Sequence, residues 1–159
     1  MLRVIGAAAA VAVVLFLAGL LPYGIARVRM DSMAPTLNDG DRVVVEHTSA
    51  DIRHADLVVV TAPDGSGAVV KRVAAVGGDM VGIEDGVLVV NGTAVVEPWF
   101  DRTRIDGEYF GPVSVPPDTV WVLGDNRGES VDSRRFGPVP VDSVIGRVTS
   151  RLWPPPHRF

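Results

Sequence analysis

The chain has 159 residues and a formal charge of −4 with its basic residues scattered, so it holds one domain's worth of core and no electrostatic footprint for nucleic acid. It has no cysteine, which removes disulfides, a thiol nucleophile and thiolate ligands. Its three histidines, His47, His54 and His157, do not fall at metal-ligand spacing, and neither a metal nor a cofactor is expected.

From Val4 to Ile25 the sequence runs without a charge, long enough to cross a hydrocarbon core of about 30 Å as a helix. Pro22 fits the end of such a span and Tyr23 the interface. The competing reading is a cleaved secretory signal, with Arg3 as its charged start and Leu17-Ala18-Gly19 as its cut site. Arg3 and the terminal amine nearly balance Arg27 and Arg29, so local charge does not set the orientation.

Next comes Met30-Asp31-Ser32-Met33-Ala34-Pro35-Thr36-Leu37. Pro35 fixes its own φ and disfavours helix at Ala34, so Ser32 is expected on extended or turning backbone. A serine hydroxyl is a poor nucleophile at neutral pH, and chemistry at Ser32 requires a base delivered from elsewhere in the fold.

From Arg42 onward, short runs of β-branched residues alternate with turn signals. Strands are expected at 42–46, 57–61, 68–76, 80–84, 87–90, 120–123 and 144–150, separated by pairs such as Asp85-Gly86 and Asn91-Gly92. That pattern predicts an all-β domain. Glu84 to Glu97 reads as a hairpin, Glu97 to Pro117 as a solvated excursion of low functional weight, and Trp153-Pro154-Pro155-Pro156 as a surface polyproline end.

Two segments offer partners for Ser32. Lys71 stands in an apolar run where strand geometry puts it on one face with Val69, Val73 and Ala75, and Arg72 on the other with Val70, Ala74 and Val76. Periodicity places at least one cation among apolar neighbours without saying which. Only lysine can lose its proton on burial. After the strand at 120–123, extended backbone would put Ser130, Asp132 and Arg134 on one side, where a carboxylate and a guanidinium can pair and a hydroxyl can hold an amine.

Together these segments resemble type I signal peptidase, a membrane-tethered serine-lysine endopeptidase family. The family's Ser-Met-x-Pro-Thr-Leu box is matched by Ser32 to Leu37, its Lys-Arg-Val box by Lys71-Arg72-Val73 with Gly78-Asp79 following, and its Gly-Asp-Asn-Arg-x-x-Ser-x-Asp-Ser-Arg box from Gly124 to Arg134. The resemblance implies removal of signal peptides from exported preproteins. It makes Ser32 the nucleophile and Lys71 the general base, with Ser130 orienting the lysine, Asp132 and Arg134 holding that neighbourhood, and the Ser32 N–H donating to the oxyanion.

It further implies a mostly β, antiparallel two-sheet domain over 29–159, preceded by a single transmembrane anchor over 1–28 in the cytoplasmic membrane, with the domain on the extracytoplasmic side. The expected partners are preproteins and the lipid bilayer. Where some relatives carry a second oxyanion-hole serine, this chain has Met30, and residues 84–117 stand where larger relatives have an accessory domain. Ser32 lies seven positions beyond Ile25, which keeps the expected nucleophile within roughly 25 Å of the span.

A maturation protease dedicated to one or a few precursors would share the same residues. A tethered β module that only binds peptides is disfavoured by the joint presence of Ser32, Lys71 and Ser130. A self-cleaving repressor is disfavoured by the apolar start and the lack of a DNA-binding segment.

Overall fold

The computed structural model describes residues 22–159 apart from 49, 66, 101–108 and 155. Most of the expected span therefore lies outside the described residues, among which no helix is long and apolar enough to cross a membrane. The end of the apolar run is in the sheet: Tyr23–Arg27 form strand β1, paired with β2 (Arg42–Glu46). Tyr23 and Ile25 alternate outward while Ala26 packs on the core. The boundary expected after residue 28 thus falls behind a strand of the folded unit.

The main sheet continues with β3 (Leu57–Ala62) and β4 (Gly67–Val76). A second sheet contains β5 (Met80–Glu84), β6 (Val87–Val90), β7 (Thr93–Ala94) and β8 (Phe110–Ser114). The chain then returns to the main sheet with β9 (Thr119–Leu123), helix α1 (Ser133–Phe136), β10 (Val139–Pro140), β11 (Val144–Trp153) and β12 (His157–Arg158). The main sheet is ordered β1-β2-β11-β3-β4-β9-β10, with β12 on β11, and the smaller one β7-β6-β5-β8. The pairings are antiparallel, as the turn-rich sequence predicts. Asp85-Gly86 and Asn91-Gly92 all take positive φ, the backbone of the tight hairpin turns that close β5–β6 and β6–β7.

Two expectations are corrected. The stretch read as a solvated excursion contains β8, which among the described residues pairs with β5 at the sheet edge; Pro112 lies where the register shifts, and an edge strand with a bulge tolerates a residue without an N–H. The tail turns back after Trp153, so that Ser150 and Arg151 pair with Arg158 and His157.

Strand alternation divides the core. Leu57 and Val59 face one side of β3 with Met33, Leu37, Val43 and Val45, while Val58 and Val60 face the other with Val73, Val120, Val122 and Val139. Both faces are covered, which is why β3 reads as a continuous apolar run. A third cluster, Ala74, Ala75, Trp121 and Leu123 with Val81, Ile83, Leu88 and Val115, welds the two sheets. Met33 and Leu37 are fully buried and pin the turn that carries Ser32 to the sheet, each contributing on the order of 1.5–3 kcal/mol by burial.

Candidate active site

Three segments distant in sequence converge beside β4. Ser32 lies in the turn between β1 and β2, Lys71 in β4, and Ser130 in the loop after β9. Lys71 Nζ donates to Ser32 Oγ at 2.9 Å and to Ser130 Oγ at 3.0 Å. Both cations of the Lys-Arg pair are buried, and alternation sends them to different partners: Lys71 meets hydroxyls, Arg72 a carboxylate. Lys71 is also the only lysine in the chain, a compositional signal, since every other basic side chain apart from histidine is arginine. Burial brings its pKa from 10.5 down to about 8, against the opposing pull of the Asp132 carboxylate.

Asp132 and Arg134 do pair, but by a different geometry from the extended one expected. Asp132 caps α1, its carboxylate accepting the Arg134 N–H at 3.2 Å, and the guanidinium then folds back with Nε and Nη2 each at 2.9 Å from the same carboxylate. A side chain two residues away on one turn of helix reaches its cap directly. The Gly124 N–H supplies a further bond at 2.9 Å. Burial pushes the Asp132 carboxyl up, and Arg134 with the Gly124 N–H more than offsets it, leaving the group below the usual carboxylate range.

Ser133 Oγ, buried beside Asp132, accepts the Val122 N–H at 2.9 Å and fixes the loop to β9. Arg134 Nη2 also donates to the carbonyls of Arg127 at 2.6 Å and Ser130 at 3.4 Å, so the loop carrying Ser130 closes on its own guanidinium.

Sequence reading missed a second set of contacts that joins the nucleophile turn to this loop. Arg72 grips Asp125 with two nitrogens at 2.8 and 2.7 Å, and Asp125 accepts from Thr36 Oγ1 at 2.5 Å. Asn126 binds the turn twice, through its N–H to the Ser32 carbonyl at 3.1 Å and its amide nitrogen to the Asp31 carbonyl at 3.2 Å. These residues lie inside the boxes, so their positions were marked although their partners were not.

Gly124 sits where the two segments touch. A Cβ there would stand 2.2 Å from Ser130 Oγ and 2.5 Å from the Ser32 carbonyl oxygen. Only a residue without a side chain permits that approach.

In front of Ser32 and Lys71 lies an open cleft of about 500 Å³ lined by Met30, Ser32, Val69, Lys71, Glu129 and Val131 among others. Met30, exposed with φ 67°, supplies no hydroxyl to that cleft. Among the described residues no group of three or more His, Cys, Asp or Glu side chains is placed to hold a metal ion. The arrangement fits acyl transfer: a hydroxyl in contact with a desolvated amine, facing an open cleft.

Comparison with known proteins agrees with that chemistry. The family model for signal peptidase, peptidase S26, matches residues 1–153. The signal peptidase I of Bacillus caldolyticus is 38% identical over 138 residues, covering 77% of this chain and 75% of that protein. The thylakoidal processing peptidase 1 of Arabidopsis thaliana is 38% identical over 138 residues, covering 78% of this chain, which spans 40% of that longer protein. The crystal structure of a signal peptidase I from Enterococcus faecalis V583 superposes with a TM-score of 0.56 at 28% identity, covering 62% of this chain and 97% of that one. With the match running through all three segments that meet at Lys71, the chain belongs to the signal peptidase family, peptidase S26.

Proposed function

We propose that this chain is a membrane-anchored serine endopeptidase that removes N-terminal signal peptides from exported preproteins, with Ser32 as nucleophile and Lys71 as general base. The observation that carries the reading is one buried amine within hydrogen-bond distance of two hydroxyls, at 2.9 and 3.0 Å, with a pKa lowered to about 8. An unperturbed lysine would be neutral in about one molecule in a few thousand at pH 7, a penalty near 4.6 kcal/mol on the reactive state. With the pKa at about 8 the neutral form is about a tenth of the population, and the penalty falls to roughly 1.4 kcal/mol.

Neutral Lys71 Nζ takes the Ser32 proton as Oγ attacks the scissile carbonyl carbon. The carbonyl oxygen becomes an oxyanion facing the Ser32 N–H. As the C–N bond breaks, the Lys71 ammonium returns the proton to the leaving amine, which is the new N-terminus of the mature chain. The signal peptide remains as an ester on Ser32 until a water, deprotonated by Lys71, hydrolyses it. Ser130 holds Nζ in line throughout, and Asp132 and Arg134 hold the Ser130 loop.

The ladder around β4 supports recognition by strand addition. On one side β4 pairs with β3 from Gly67 to Arg72; on the other it pairs with β9 only from Arg72 onward. The backbone from Gly67 to Lys71 therefore has one side without a strand partner among the described residues, beside Ser32 and next to the cleft. A substrate strand laid there brings its scissile carbonyl to the nucleophile. The apolar run ahead of Tyr23 serves as a single-pass anchor in the cytoplasmic membrane, with residues from β1 onward on the extracytoplasmic side, where exported precursors present their cleavage sites.

The test is incubation of the purified full chain in detergent with several preproteins, followed by N-terminal sequencing of the products. Cleavage after the signal peptides is expected, and its loss in Ser32→Ala with the fold retained. Full processing by Ser32→Ala would remove the assignment. The range of precursors cut separates a general peptidase from one dedicated to a single substrate.

A further inference from the structure

Residues 97–100, Glu97-Pro98-Trp99-Phe100, leave the small sheet after β7 and cross directly onto the two arginines that flank the dyad. Glu97 forms a buried ion pair with Arg127, both side chains less than a tenth exposed. Trp99 lays its ring 3.9 Å from the Arg72 guanidinium carbon, and Phe100 lies 4.7 Å from that of Arg127. Each cation is thus held between a carboxylate and an aromatic face: Arg72 by Asp125 and Trp99, Arg127 by Glu97 and Phe100.

The other ends of both arginines are fixed next to the reacting atoms. Arg127 Nε donates to the Gly124 carbonyl at 3.0 Å, and the Gly124 N–H is held by Asp132. Arg72 grips Asp125, which binds Thr36 in the nucleophile turn. Gly124 separates Ser130 Oγ from the Ser32 carbonyl with no room for a methyl group, so a displacement of a few tenths of an ångström there changes the distances to Lys71 Nζ.

We propose that Glu97, Trp99 and Phe100 form a positioning strap, by which the exit of the small sheet presses the Gly124–Arg127 loop against the Ser32 turn and sets the reacting geometry. This inference rests on the Ser32–Lys71 reading. Among the described residues no hydrogen bond or ring contact links the three to Ser32 or Lys71, so they act through Arg72 and Arg127 and are not catalytic residues.

The chemistry of the strap says which features matter. Trp99 Nε1 is buried with no hydrogen-bond partner, so the ring serves through its face and a phenylalanine retains what is needed. Glu97 neutralises a buried cation, and its removal leaves Arg127 uncompensated. Glu97 variants therefore risk unfolding, which makes the aromatic positions the better probes.

The experiment uses the full chain in detergent with a short peptide spanning the cleavage site of a preprotein that it processes, and counts folded sites by titration with a serine-acylating reagent. Trp99→Leu and Phe100→Leu are each expected to lower kcat per titrated site about tenfold, since small misplacements near reacting groups carry such losses, with KM within about twofold. Trp99→Phe is expected to restore the rate. Wild-type kcat per site in folded Trp99→Leu and Phe100→Leu, even with lowered melting temperatures, would show that the segment only stabilises and would overturn the proposal. If Trp99→Leu does not fold, Phe100→Leu decides the matter by the same criterion. Ser32→Ala run in parallel separates the two levels: cleavage by that variant removes the dyad reading and the strap with it, whereas a dead Ser32→Ala beside fully active strap variants removes the strap alone.

Discussion

Lys71 and Arg72 are consecutive on β4 and equally hidden from water, yet one is a candidate base and the other a brace. Arg72 faces a carboxylate that it grips through two nitrogens, and a guanidinium so paired has no route to neutrality. Lys71 is bonded by the hydroxyls of Ser32 and Ser130, and Asp132, the carboxylate that acts on it most strongly, is already taken up by Arg134 and Gly124. Desolvation therefore prevails for the lysine, while the arginine is spent on its ion pair. What a buried cation does is decided by the group opposite it, and a shift of one residue along a strand exchanges the groups.

The sharpest way to break this contrast is to remove the lysine. Lys71→Met is expected to lower kcat/KM by at least about a thousandfold, a loss of the size seen when one member of a catalytic constellation is removed. It is also expected to fold more tightly. The folded pKa of Lys71 lies below its unfolded value, so burial costs stability below pH 8, and that cost fades as pH rises from about 8 to about 10.5. Chemical denaturation should show Lys71→Met stabilised by up to about 3 kcal/mol at pH 7, with the advantage vanishing above pH 10. Equal stability at pH 7 would show that the lysine carries no burial penalty.

Gly124→Ala tests whether the brace side delivers geometry to the base side. A methyl group 2.2 Å from Ser130 Oγ must push Ser130 away from Lys71, and a loss of about a hundredfold in kcat is expected. A rate within a factor of three of wild type, measured on the same peptide, would mean that the contact yields without consequence.

Asp132→Ala takes the carboxylate from the Gly124 N–H and from Arg134, a buried pair whose breakage costs about 3–5 kcal/mol. Because its folded pKa is depressed, the stabilisation by Asp132 is complete above the ordinary carboxylate range and is lost as pH falls through the folded value. Urea unfolding at pH 7 and in acid should show the variant's deficit shrinking in acid. A wild-type midpoint at pH 7 would reduce the pair to a surface contact.

The wild-type profile offers a smaller but direct reading: kcat/KM should rise with pH through an apparent ionisation near 8 and then level. Since the chain has a single lysine, selective isotope labelling gives one side-chain resonance whose titration reports the same group. A lysine resonance that titrates above 10 would return Lys71 to the class of solvated cations. The smallest effect belongs to His54, which is bonded to Asp79 at 2.8 Å on the surface; His54→Ala is expected to stay within about twofold of wild type at every pH. Loss of activity there would call for a histidine base instead.

Much of this was legible before any coordinates. The valine-rich runs mark seven strands because β-branched composition and the turn residues between them agree locally. Strand alternation separated Lys71 from Arg72, and the boxes marked the residues that meet. What stayed hidden depended on partners far along the chain or on local exceptions. Phe110–Ser114 carries Gly111 and Pro112, which argue against a strand until an edge position removes the objection. Asp132 and Arg134 suit one face of a strand and equally a helix cap, and two residues cannot separate the periods. Glu97, Trp99 and Phe100 look like loop chemistry because nothing adjacent tells them that two arginines wait opposite.

The contacts that assemble the dyad span 39 and 59 residues of sequence, and the tie from Thr36 to Asp125 spans 89. Such long closures form late, because chain entropy must be overcome before these contacts stabilise anything. A partly folded chain therefore has a serine and a lysine but no peptidase. In the growing polypeptide Ser32 and Lys71 are far apart, and topology brings them within hydrogen-bond distance only when the sheet around β4 has closed.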